Sequence, residues 1–412
     1  MANGTRDGDA PTHRDYLKYG GALLGTGFAA GCSGGDAASE GGATSTDAPA
    51  TADGGGDGST TETGSSYTAS IVPAGEVTFE AVPESWLVYN GAWADMAFAL
   101  GQRDGFLTAG NMIPGFFFDP FDLDVPAADE LTPLAEWDGG GWSKEVFYEL
   151  DPDVILMDPN YMHGTGWDSD WGEGDTEEIR RRVAPFFGNN CRRRREFHDY
   201  KLYSLYGAFE KLSHAFQERE RYEAFAALHD EVQSEIASRT PDERPTIGLI
   251  NGGSNPAKGT FYPLHTQDEG YEMKPYRDLN VASAFPESME GGTIDYEQLL
   301  AVDPEIIVVH WGIGTTGDTD SFSAEAFREQ YVRPMEEDSV GQQLTAVEEG
   351  RVYPGQYGEQ GPIVNLLQTE MVAQQLYPEE FGAFDPQSFP EVPAEKQLFD
   401  RQRVADIVAG EF

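Results

Sequence analysis

Twelve residues have the types and positions to hold a ligand. Tyr89, Asn90, Trp93, Trp142, Tyr161 and His163 lie in the first half of the chain; Asn251, Tyr262, His310, Trp311, Tyr353 and Tyr357 lie in the second. They follow, or lie near, apolar runs that read as strands. Ligands of α/β proteins sit in the loops beyond the carboxyl ends of strands, so these are candidate contacts. Aromatic rings bury about 150–250 Å² each at little entropic cost, which suits a large, flat, partly apolar ligand. Tyr89, Trp142 and Tyr353 read equally well as core or rim residues.

Other chemistries find less support. Free zinc or manganese needs three or four His and carboxylate ligands converging. His163, His198, His214, His229, His265 and His310 are scattered without ligand spacing, so neither a metal site nor a resident cofactor is expected. Haem ligation through one Tyr or His stays open, with His163 its candidate. An exported hydrolase is the weaker enzymatic alternative, because beyond the signal and tether the chain has no Gly-x-Ser-x-Gly elbow, no His-Glu-x-x-His and no phosphate loop. Arg192-Arg193-Arg194-Arg195 stands out in an acidic chain. It reads either as an electropositive approach for an anionic ligand or as a solvated turn pairing with nearby acids, and the solvated turn is the expectation.

A phrase used twice supplies the elements that position these residues. Residues 145–157 read EVFYELDPDVILM and 297–309 read EQLLAVDPEIIVV. Each reads as a short helix that an Asp-Pro ends, because Pro lacks the N–H and restricts the residue before it. Each then feeds a non-alternating apolar strand of the kind covered on both faces. Two such units imply two similar α/β lobes, with Glu145 and Glu297 at equivalent places on them. Between the lobes, apolar residues from Leu202 to Leu228 keep a 3.6-residue period with no Pro before Pro241. At about 1.5 Å per residue this is one linking helix of roughly 50–60 Å, or two with a break near Gln217; a single helix is the expectation. One rigid strut between the lobes predicts only a modest closing motion.

The expected boundaries are an export signal over 1–32, a polar tether over 33–72, and an N-terminal lobe over 73–198. A linking helix over 199–240, a C-terminal lobe over 241–383 and a tail with a short helix over 384–412 complete the chain. The signal has a basic start, a short apolar run and Ala30-Gly31-Cys32, a lipobox whose Cys32 would carry lipid. The export route, twin-arginine or general secretory, stays open because His13 precedes Arg14. The tether is too poor in large apolar side chains to offset the entropy of ordering. With Cys32 lipidated, Cys191 has no disulfide partner. The formal net charge of −45 reads as a surface adapted to molar salt, a halophile's, and argues against nucleic acid as partner.

The repeat, the linking segment and the lipobox together resemble the binding proteins of ABC importers for ferric siderophores and cobalamin, over roughly residues 73–383. The resemblance rests on Glu145 with Leu150-Asp151-Pro152-Asp153, and on Glu297 with Val302-Asp303-Pro304-Glu305. The Asn90–Gly101 segment and Gly350-Arg351-Val352-Tyr353 add to it. It implies a class III periplasmic-binding-protein-like fold: two α/β lobes joined by one long helix, with a ligand cleft between them. It implies capture of a ferric siderophore, with cobalamin or haem as alternatives, and no enzymatic activity. It also implies that Glu145 and Glu297 contact arginines on the two subunits of a permease. The chain is then expected to be a monomer outside the cell membrane, anchored through Cys32.

Overall fold

The computed structural model describes residues 66–136, 141–242, 244–289, 291–314 and 321–412. The expected signal, Cys32 and most of the expected tether lie outside these residues. The tether ends earlier than expected, because β1 (Tyr67–Ile71) and β2 (Gly75–Phe79) form an antiparallel hairpin. Ala69, Ile71, Val77 and Phe79 alternate inward, and the Tyr67 hydroxyl donates to the Ala215 carbonyl. So short an alternation among small polar residues is invisible to composition.

Two parallel sheets follow, one per lobe. In the first, β3 (Trp86–Asn90) lies between β4 (Phe106–Asn111) and β7 (Val154–Leu156). A small hairpin of β5 (Ala135–Glu136) and β6 (Gly141–Trp142) stands beside it. In the second, the order is β11 (Val352–Pro354), β10 (Ile306–His310), β8 (Thr246–Asn251), β9 (Ala282–Ser283). Strands β3, β7 and β10 are buried along their whole length, as unalternating apolar runs require when both faces are covered.

The repeated phrase has one conformation in both lobes. Helices α2 (Lys144–Leu150) and α8 (Tyr296–Val302) end on Asp151 (φ 42°, ψ 56°) and Asp303 (φ 44°, ψ 63°). Both are left-handed, a conformation Asp tolerates better than most side chains. In each case the Asp N–H bonds back to the helix, at Phe147 and Leu299. Helix α1 (Gly91–Ala99) follows β3 directly, α3 (Pro159–Gly164) follows β7, and α4 (Glu173–Arg182) packs beside them.

The linking segment corrects the expectation of one helix over 199–240. It holds α5 (Leu205–Ala215) and α6 (Arg219–Arg239), folded back on each other. The Tyr206 ring lies 4.1 Å from that of His229, and Phe209 lies 5.4 Å from Tyr222, so the helices are antiparallel. The break falls at Gln217, left-handed at φ 56°, with the Glu218 N–H donating to the Ser213 carbonyl. That is the six-to-one bond by which helices commonly stop, usually with Gly in the left-handed position. The 21-residue α6 is the long helix that joins the lobes.

The inner faces of both sheets share one apolar cluster. Trp86, Val88, Val154 and Leu156 of the first lobe and Ile247, Leu249, Ile306 and Val308 of the second belong to it, with α1, α5, α6 and α9 (Pro362–Leu376) between. Each outer face has its own smaller core, around Leu87, Tyr89 and Ile155 in one lobe and Ile307 and Val309 in the other. All 15 residues of α9 are buried. The tail then returns to the first lobe: Phe389 meets Phe116 and Phe117, and α10 (Arg401–Ala409) packs on α6 and α1.

Candidate functional site

Where the carboxyl ends of the two sheets face each other, a buried charged cluster joins the lobes. The Arg192 guanidinium donates to Glu272 Oε1 at 2.6 Å and to Glu359 Oε1 at 3.0 Å. Glu359 also accepts from Tyr271 Oη at 2.6 Å, Asn90 Nδ2 at 2.9 Å and Asn111 Nδ2 at 3.3 Å. Asn90 ends β3 and Asn111 ends β4, so a glutamate from the second half of the chain is held by both strands of the first lobe. His310, which ends β10, places Nε2 3.2 Å from Glu272 Oε1. Trp311 lies under the Arg192 guanidinium at 4.9 Å, a cation–π contact. The backbone closes the arrangement, with Tyr271 N–H on the Cys191 carbonyl and Glu272 N–H on that of Arg192.

Burial acts against every charge in this cluster, and the neighbours decide each outcome. Burial is the largest influence on Glu272, yet the Arg192 and Arg193 guanidiniums hold its carboxyl well below the usual range. For Glu359, burial wins over Arg192 and the Tyr271 and Asn90 hydrogen bonds, and its carboxyl is pushed up. Burial also lowers His310 and raises Tyr271. Several polar atoms here have no hydrogen-bond partner among the described residues: Arg192 Nε, Arg193 Nε (3.7 Å from Glu272 Oε2), Arg195 Nε and His310 Nδ1. Unpaired buried donors are costly, and their concentration here makes the junction the candidate site.

The structure distributes the twelve candidates over several places. Asn90, His310, Trp311 and Tyr357 meet at the junction, where Tyr357 Oη donates to the Met112 carbonyl across the lobes at 3.1 Å. Tyr89, Trp142 and Tyr161 form an aromatic group on the outer core of the first lobe, 4.7–5.1 Å apart. Trp93 is buried in α1 and bonds the Asn189 carbonyl. His163 lies on α3 and bonds Thr176 Oγ1 at 3.1 Å. Asn251 uses its side chain on the Gly253 N–H, Tyr353 is half-buried near Phe384, and Tyr262 is exposed.

The run Arg192–Arg195 departs from the solvated turn expected of it. Arg194 alone fits that reading, exposed and bonded to Glu269. Arg192 is enclosed at the junction, because Glu272 and Glu359 fold over it from the second lobe. Glu272, Glu359, Tyr271 and Asn111 were not singled out from the sequence. Two more glutamates among so many acids carry no signal, and the arginine run was the only pointer to them.

Glu145 and Glu297 are both exposed, each in the first turn of its helix. A helix that feeds a strand through a tight turn runs antiparallel to it, so these first turns lie level with the carboxyl ends of the sheets. Both helices are firmly held. Lys144 bridges to Asp175 at 2.6 Å and Glu178 at 2.8 Å, while Asp295 and Gln298 form a reciprocal capping box on α8.

Residues 138–356 match the family model for periplasmic binding proteins. The chain belongs to this family. Solved structures share its fold at low identity. A periplasmic binding protein from Veillonella parvula is 15% identical with a TM-score of 0.50, covering 76% of this chain and 99% of its own. The petrobactin-binding protein YclQ of Bacillus subtilis is 14% identical with a TM-score of 0.51, covering 76% and 99%. CeuE of Helicobacter pylori, solved with Ni(II) bound, is 13% identical with a TM-score of 0.51, covering 77% and 91%. No curated protein matches the sequence. Among the described residues no helix of this periplasmic binding protein is long and apolar enough to cross a membrane.

Proposed function

We propose that this periplasmic binding protein captures an anionic ferric siderophore between its lobes, outside the cell membrane, and delivers it to an ABC permease. The observation that carries the reading is the junction cluster, where the Nε atoms of Arg192, Arg193 and Arg195 have no hydrogen-bond partner among the described residues and Arg192 lies over Trp311, near Tyr357 and His310. Guanidiniums match the charge and planar edges of an anionic chelate, and the rings supply its apolar faces. Here Glu272 and Glu359 hold the guanidinium of Arg192 in place. A bound anion would take over part of that role. The petrobactin-binding relative from Bacillus subtilis agrees with this ligand class. On this reading Glu145 and Glu297 dock on the two permease subunits. Lipidated Cys32 and the polar tether hold the monomer at the membrane of a halophile, and no reaction is catalysed.

Thermal shifts in molar KCl test the ligand, using a ferric catecholate, a ferric hydroxamate, cobalamin and haemin. The ferric catecholate is expected to stabilise by about 2.7 kcal/mol at a hundredfold excess over its dissociation constant. Arg193→Gln, at a side chain 41% exposed and 3.7 Å from Glu272, is expected to weaken that ligand about tenfold while lowering the unliganded melting temperature only slightly. Stabilisation by cobalamin or haemin alone would replace the siderophore.

A further inference from the structure

The two carboxylates on Arg192 are held in different ways. Glu272 is tied to Arg192 through the backbone as well as the side chain. Its N–H donates to the Arg192 carbonyl at 3.2 Å, an approach that Gly270 permits, since a Cβ there would overlap that carbonyl. Its own carbonyl accepts from Gln356 Nε2, and from Gln360 Nε2 at 3.3 Å. Its carboxylate faces two guanidiniums and an imidazole: Arg192 Nη2 at 2.6 Å, Arg193 Nε at 3.7 Å and His310 Nε2 at 3.2 Å. The charge on Glu272 therefore depends on the guanidiniums, and its backbone moves with them.

Glu359 has other support. Besides Arg192 Nη1 at 3.0 Å, its Oε1 accepts from Asn90 Nδ2 at 2.9 Å and Asn111 Nδ2 at 3.3 Å, and its Oε2 from Tyr271 Oη at 2.6 Å. Oε2 also accepts from the Ala92 N–H at 3.5 Å, in the first turn of α1, and a helix N-terminus favours an anion. All four of these donors are uncharged, and they stay in place when a guanidinium turns away. Burial pushes the Glu359 carboxyl up, whereas the arginines hold Glu272 down, so Glu359 is the less firmly held as an anion. Trp311 lies against the face of the Arg192 guanidinium at 4.9 Å, a support that rotation in the guanidinium plane does not break.

We propose that Glu359 competes with the ligand for Arg192. A bound anion takes Arg192 Nη1 from Glu359, Glu272 keeps Nη2, and Glu359 takes the guanidinium back as the ligand leaves. Glu359 is then a release residue that keeps the complex reversible enough for delivery. This role rests on the anionic-ligand reading above, and adds which carboxylate yields and what its return does. An internal competitor costs affinity, and among related complexes such differences fall mainly on the dissociation rate. A glutamate that merely held the junction together would have the opposite effect, because its loss would loosen the site.

The test follows binding of a ferric catecholate to the full chain in molar KCl, with both rates read by stopped-flow tryptophan fluorescence. Glu359→Gln keeps an acceptor for Asn90 and Asn111 but removes the charge. It is expected to slow dissociation about tenfold and to leave the association rate unchanged. Glu359→Asp keeps the charge on a shorter side chain and should slow dissociation by a smaller factor; it decides the matter where Glu359→Gln does not fold. Glu272→Gln removes the same charge from the carboxylate that stays, and should leave dissociation unchanged or faster. Dissociation from the Glu359 variants as fast as from the parent, or faster, would overturn the release role and leave the ligand reading standing. Equal slowing in Glu272→Gln would also overturn it, by showing that lost charge alone tightens the site. A parent that bound no ferric catecholate would remove the ligand reading, and the release role with it.

Discussion

Asp95 is fully buried between the two halves of the molecule. It sits on α1 and accepts from the N–H groups of Gly361 at 2.7 Å, Ile363 at 3.1 Å and Val364 at 3.0 Å, capping the start of α9. Gly361 is required there, since a Cβ would overlap the Asp95 side chain and the Ala92 carbonyl. Burial outweighs the three N–H bonds and raises the carboxyl to about 7 from an ordinary 3.8. Between those two values the native state holds a proton that the unfolded chain has released. Stability from this group is therefore present at low pH and is lost as pH rises through about 7. Denaturant unfolding at pH 8 and pH 5 should show the parent gaining on the order of 2–3 kcal/mol more on acidification than Asp95→Asn does. Equal gains would show that Asp95 stays ionised throughout. None of this was legible in the sequence, where Asp95 is one acid in a helical run. The same holds for Glu359 and Glu272, whose roles come from what lies opposite them. Asn90, His310 and Trp311 could be read, because each stands at or just after the end of an apolar strand and strand ends face the junction.

At the scale of elements, the two repeat phrases were the most legible part of the chain. Asp-Pro followed by four apolar residues dictates a helix stop and a buried strand whatever surrounds it, and both copies fold alike. The hairpin of α5 and α6 was legible in its apolar period, and its turn only as the alternative of a break near Gln217, which nothing in the sequence favoured over a single helix. Its left-handed residue is Gln217, and no Gly or Pro marks the position. The returning tail was legible only as a short helix, since where it docks depends on contacts with remote residues. Arg401 donates to Glu370 on α9, and the Leu398 N–H bonds the same carboxylate. The guanidinium stacks 4.0 Å from Phe399 and 5.7 Å from Phe121 of the first lobe. Arg401 thus pins the tail to both halves at once. Arg401→Ala would leave Glu370 buried without its partner, at a cost of about 3–5 kcal/mol in chemical denaturation. A loss below about 1 kcal/mol would mean that the tail rests on Phe389 and Phe399 alone. With α6, α9 and this tail all spanning the lobes, and one apolar cluster shared by both sheets, the hinge has little room to open. The modest closing motion expected of a single strut remains an expectation, and the shared core is a second reason for it.

For the whole molecule the dominant quantity is the net charge of −45. Many arginines already bond a carboxylate, as in Arg180 with Glu177, Arg219 with Glu223 and Arg403 with Glu231, so local pairing leaves most acids uncompensated. Excess like charge favours expansion of the chain, and two agents relieve it by different means. Salt shortens the range of the repulsion to about 3 Å at 1 M, while protonation removes the charges themselves. Relief obtained by one agent cannot be obtained again by the other. At low salt, melting temperature should therefore rise as pH falls from 8 toward 5, and it should also rise with KCl at fixed pH 8. In molar KCl most of the acid-induced rise should vanish. What remains there should be the contribution of buried acids, Asp95 foremost, whose protonation is set by burial rather than by the surface field. The two dependences can be separated by melting the parent and Asp95→Asn over a grid of pH and KCl. If acid stabilised the parent equally at both salt levels, surface repulsion would not be what limits the fold. If acid stabilised neither protein at low salt, the native surface must hold its charges further apart than the net charge implies, and molar salt would not be required for folding.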